Sequence, residues 1–158
     1  MSNALILYQG DILKFGRNPN NYGEINHPTI MLRGDSPICG DHLTLYLSVQ
    51  DNTLTDVKFS TEACCAVCKA ASSMMTDAIK GKSLAYVERL ASVFLKSLQG
   101  ETPFLIEKTL LGDLTLFLKL REIPSRIDCA ALSWTTLTRA LDELKKSSQD
   151  YSNQASAI

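Results

Sequence analysis

The chain has 158 residues, 45% hydrophobic and 21% charged, which excludes a wholly disordered or fibrous polypeptide. Sixteen Lys and Arg against 17 Asp and Glu give a formal net charge of −1, against a protein built to grip nucleic acid or an anionic membrane. No uncharged apolar run approaches the ~20 residues of a membrane helix, and the N-terminus MSNALILYQGD lacks the basic region of a signal peptide, so a cytoplasmic protein is expected.

In chain order, residues 4–15 carry Leu5, Tyr8, Ile12 and Phe15 at helical spacing, and the cluster from Asn18 to Gly23 stops that helix. Residues 28–33 predict a first strand. Residues 43–49 and 54–60 alternate with period two around Asp51-Asn52 and predict an antiparallel hairpin. After Phe59 the period changes to three or four, predicting a helix over 64–80. Lys80-Gly81 ends it, and Ser83 caps a helix over 84–98. Gly100 to Gly112 reads as a connector, 113–120 as a short helix, and Pro124 as a break. Residues 129–146 then form a long amphipathic helix with its lysines at the C-terminal end. The expectation is one α+β domain over 1–146, a small antiparallel three-stranded sheet covered by helices, with a polar tail at 147–158 that frays.

Five cysteines, an odd number without an export signal, argue against a disulfide framework and for metal or thiol chemistry. Cys39 sits with Gly40, Asp41 and His42 in a loop where Pro37 and Gly40 allow tight turning. Cys64 and Cys65 stand where a strand hands over to a helix, and the helix dipole there favours thiolate. Cys129 opens the last helix, shortly after Arg126. Brought together, Cys39, Cys65 and Cys129 offer three sulfur ligands and Asp41 an oxygen, a set suited to tetrahedral zinc or to an iron–sulfur cluster. His42, beside Asp41, is a candidate to orient the carboxylate. Cys65-Ala66-Val67-Cys68 has CxxC spacing, but no second CxxC completes a zinc ribbon.

Several stretches resemble the U-type iron–sulfur assembly family, comprising SufU, IscU and the N-terminal domain of NifU. They are Asn18-Pro19 with Gly23, Cys39-Gly40-Asp41, the run Ala70 to Thr76 with Lys80-Gly81-Lys82, and Pro124 to Trp134. The SufU branch is the nearer: residues 97–118 match its insertion, and Arg126-x-x-Cys129 its last motif. The Leu-Pro-Pro-Val-Lys stretch that engages an Hsp70 partner in IscU is replaced by residues 121–126, and the histidine before the last cysteine is Asp128. Where the family has a Gly-Cys pair, this chain has Cys64-Cys65. Counting back from Met74 puts Cys65 at the ligand position and counting forward from Phe59 puts Cys64 there; Cys65 is preferred because helix register is stiffer than a loop, and Cys68 then packs as core. The resemblance implies a Zn2+ ion held by Cys39, Asp41, Cys65 and Cys129, with Cys39 accepting persulfide sulfur from a SufS-like cysteine desulfurase. Arg126 would steer the partner or stabilise the thiolate. The sulfur would pass to a SufBCD-like scaffold or to apo iron–sulfur proteins. The alternative it implies is a non-enzymatic scaffold carrying a transient [2Fe-2S] cluster.

Overall fold

The computed structural model describes residues 11–156. Helix α1 (Asp11–Arg17) leads into three strands, β1 (Ile30–Asp35), β2 (His42–Gln50) and β3 (Thr53–Ala63). Helices α2 (Ala66–Ile79), α3 (Leu84–Leu98) and the single turn α4 (Phe104–Ile106) follow. A π-helical turn over Glu107–Leu111, a 3-10 segment over Gly112–Glu122 and the long α5 (Pro124–Ser156) complete the chain. Leu5 and Tyr8, assigned by periodicity to the first helix, lie outside the described residues.

The strands pair antiparallel in the order β1-β2-β3, as the sequence patterning predicts. Asp51 and Asn52 close the β2–β3 hairpin with φ of 52° and 59°, the left-handed pair that a two-residue loop needs to follow the strand twist. One face of the sheet carries Leu43, Leu45, Leu47, Leu54, Val57 and Phe59. All are fully buried in one core with Met75 and Ile79 of α2, Leu90 and Phe94 of α3, and Trp134 and Leu137 of α5. Trp134 stacks on Phe94 with ring centroids 4.4 Å apart, and Phe117 meets Phe94 edge-on at 6.1 Å. Ser83 caps α3 by accepting the Tyr86 N–H at 3.2 Å.

The Asn18–Gly23 turn is bound to α2. Asn20 N–H donates to Ser73 Oγ at 2.7 Å, and Asn21 Nδ2 donates to Thr76 Oγ1 at 2.9 Å and to Asp77 at 3.0 Å. Ser73 and Thr76 of the Ala70–Thr76 run therefore serve as acceptors for this turn, beyond the close packing that their size allows.

One expectation about the last helix is corrected. Pro124 does not break it but begins it, in the first position where a missing N–H costs nothing. The helix runs on to Ser156, since no Gly or Pro interrupts it. Among the described residues, no helix is long and apolar enough to cross a membrane.

Candidate metal centre

Three elements supply the candidate ligands. Cys39 and Asp41 sit at the tip of the β1–β2 hairpin, whose strands close on the Asp35–His42 pair. Within this tip Gly40 N–H donates to Ser36 O at 3.0 Å, and Ser36 N–H to Asp41 O at 2.9 Å. Gly40 adopts φ of 74°, a left-handed backbone that glycine reaches without steric cost. Cys65 is the N-cap of α2, its sulfur 3.5 Å from the Cys68 N–H it accepts. Cys129 lies within α5, which begins at Pro124, so this cysteine does not open the helix as the sequence suggested.

These elements meet at one end of the domain. The Sγ atoms of Cys39 and Cys129 and a carboxylate oxygen of Asp41 all lie within 4.8 Å of one another. Cys65 joins them through its neighbours, interacting with both the Asp41 carboxylate and the Cys129 thiol. Cys39 is half-buried, Cys129 is buried, and Asp41 is 9% exposed.

The approach of α5 to the sheet depends on a residue that the sequence reading passed over. A Cβ on Gly34 of β1 would stand 1.9 Å from Thr136 Oγ1 of α5, so only glycine lets the two backbones come this close.

Burial at the centre favours the neutral thiols of Cys65 and Cys129. Burial pushes the Cys65 thiol up from its ordinary value; the hydrogen bond from the Cys68 backbone opposes this, and the Asp41 carboxylate adds to it. Burial, followed by the neighbouring charge of Cys65, likewise raises Cys129. Asp41 Oδ2 is buried with no hydrogen-bond partner among the described residues. Three free thiols, two of them disfavoured as thiolates by burial, beside an oxygen that lacks a donor form a donor set that fits a divalent cation.

The remaining candidates are not among these free thiols. Cys64 is joined to Cys68 by a disulfide, with Cα atoms 5.7 Å apart, contrary to the expectation of free thiols and of Cys68 as mere packing. The reason is local: four residues of separation across the start of a helix bring two side chains within bridging distance. His42 shares a sheet face with Thr44 and Tyr46, opposite the helices. Its Nε2 stands 3.9 Å from Glu62 Oε2, and it is not brought to the thiols. Arg126 lies in the first turn of α5, three residues ahead of Cys129 and thus on its side of the helix.

The family described as the NifU-like N terminal domain matches residues 7–151. The zinc-dependent sulfurtransferase SufU of Bacillus subtilis (strain 168) is 32% identical over 140 residues, covering 89% of this chain and 92% of that protein. The iron–sulfur cluster assembly scaffold protein IscU of Thermotoga maritima is 28% identical over 141 residues, covering 89% and 96%. Among solved structures, a protein described as an iron–sulfur cluster assembly scaffold for the SUF system of Fervidobacterium islandicum AW-1 superposes with a TM-score of 0.81. Its identity is 25%, and the match covers 88% of this chain and 99% of that one. The chain belongs to the NifU-like N-terminal domain family, whose members similar to it include the SufU and IscU proteins of iron–sulfur cluster assembly.

Proposed function

We propose that this protein is a zinc-dependent sulfurtransferase of iron–sulfur cluster biogenesis, which accepts persulfide sulfur from a SufS-like cysteine desulfurase. The observation that carries the reading is the convergence of three free thiols on Asp41, whose buried Oδ2 has no hydrogen-bond partner. The similarity to SufU of Bacillus subtilis supports the same choice.

Cys39, Asp41, Cys65 and Cys129 would hold the ion. Bound zinc would keep the thiols ionised and protected from oxidation. Cys39 is the acceptor on this reading, since it stands half-buried at a hairpin tip whereas Cys129 is buried within a helix. Its sulfur attacks the outer sulfur of the donor persulfide. A new S–S bond forms on Cys39, the donor's S–S bond breaks, and the electron pair leaves on the donor cysteine. Asp41 is the weaker ligand beside the acceptor. The cationic side chain of Arg126, one turn ahead of Cys129, steers the partner. The sulfur then passes to a SufBCD-like scaffold or to apo iron–sulfur proteins.

A second reading, a scaffold on which a [2Fe-2S] cluster is assembled and passed on, uses the same four residues and is favoured by the similarity to IscU. Metal analysis of anaerobically purified protein beside a desulfurase-stimulation assay tests the choice. The expected result is about one zinc per chain, with stimulation abolished in Cys39→Ala. Protein that lacks zinc and gains, on reconstitution, a visible iron–sulfur absorption band transferable to an apo acceptor would overturn the sulfurtransferase reading in favour of the scaffold.

A further inference from the structure

The cysteines of the described chain divide into three free thiols and one bonded pair, and the pair borders the centre. Carboxylate oxygen of Asp41 lies within 4.8 Å of the sulfurs of Cys39 and Cys129, and also within 4.8 Å of those of Cys64 and Cys68. One side chain thus stands near both sets. Cys64 is half-buried and adjoins Cys65 in sequence, while Cys68 is fully buried in the first turn of α2. A structural staple explains this bond poorly. The ring it closes spans few residues, so it removes little entropy from the unfolded chain, and Cys68 is already fixed by core packing. A half-buried sulfur backed by a buried one suits a different task, in which the first attacks and the second resolves.

We infer that Cys64 and Cys68 are a redox-active dithiol/disulfide couple that reduces the sulfane sulfur received by Cys39 and releases it as hydrosulfide; this rests on the sulfur-acceptor reading above. In the first step the Cys64 thiolate attacks the outer sulfur of the Cys39 persulfide. The Cys39 S–S bond breaks, its electron pair returns to Cys39 as thiolate, and Cys64 now carries –S–SH. In the second step the Cys68 thiolate attacks Cys64 Sγ. The Cys64–Cys68 disulfide forms, and the outer sulfur leaves as HS⁻ with its proton. The two thiolates lose two electrons and the sulfane sulfur gains them, so the step balances without another reductant. The bonded pair in the structure is the oxidised product, and an external dithiol reductant restores it for the next turnover.

The test uses the full-length, zinc-loaded chain, reduced with a phosphine, freed of excess reductant and mixed anaerobically with glutathione persulfide. Trapped sulfide is measured, and persulfide and disulfide positions are mapped by peptide mass spectrometry. The parent protein is expected to release one sulfide for each Cys64–Cys68 disulfide formed. Cys64→Ser is expected to slow sulfide release about tenfold or more and to strand persulfide on Cys39. Cys68→Ser is expected to slow it comparably and to strand persulfide on Cys64. Because Cys68 is in the core, Cys64→Ser, outside the helix, keeps the test decisive if the other variant fails to fold. Sulfide release at the parent's rate in Cys64→Ser, or release without disulfide formation, overturns the inference. Disulfide and sulfide formed at the parent's rate in Cys39→Ser would overturn Cys39 as the acceptor while leaving the couple intact, so the two claims fail separately.

Discussion

Asp41 holds a buried carboxylate oxygen without a donor among the described residues, a condition that costs about 1–3 kcal/mol and that a bound cation would relieve. The same residue ties Cys65 to the centre, whereas Cys64 is committed to Cys68. Zinc analysis is therefore expected to separate the adjacent cysteines. Cys65→Ala should lower zinc affinity by more than the roughly 10–100-fold that follows loss of an outer partner, while Cys64→Ala should retain the ion. Equal loss in a chelator competition would mean that both sulfurs serve as ligands. The raised thiols also give the metal-free protein a pH signature. A group whose folded value lies above its unfolded value, here 9.0, contributes stability fully present below that pH and lost as pH rises past it. In the presence of chelator, the melting temperature should fall more steeply between about pH 9 and 10 in the parent than in Cys129→Ala. Parallel profiles would count against buried neutral thiols.

Among the elements, β1 sets Gly34 against Thr136 of α5, the helix that carries Cys129. Gly34→Ala is expected to cost about 1–3 kcal/mol in chemical denaturation, since Thr136 must move. It should also reduce bound zinc, because α5 carries Cys129; unchanged stability would show that the contact yields freely. This dependence was not legible in sequence, where Gly34 is one residue past the predicted strand and its partner is distant along the chain. The sheet itself was legible, because period-two alternation and the Asp51-Asn52 turn are local signals. So was α3, marked by the Ser83 cap. Cys39, Asp41 and Cys129 each arrived in a recognisable local context, and the structure brings them together. The Cys64–Cys68 bond was missed because expected compartment and an odd cysteine count weighed more than the spacing of four that permits it. The start of α5 is not legible in sequence, because a proline that ends a helix serves equally well at a first helical position.

For the molecule as a whole, the segment between α3 and α5 is pinned by an ion pair. The Arg121 guanidinium meets the buried Glu107 carboxylate and donates to Ser97 O of α3 at 2.6 Å. Arg121→Ala would leave Glu107 buried with its charge unpaired, an expected loss of about 1–3 kcal/mol. Hydrogen exchange should quicken over residues 104–122 and change little in the sheet; uniform acceleration would mean that the segment does not open alone. The order in which the elements leave the ribosome has its own consequence. Cys39, Asp41 and Cys65 emerge early, but the buried sulfur of Cys129 arrives only with α5. A chain released short of that helix offers at most two of the three free thiols and falls short of the proposed ligand set, however well its earlier residues are placed.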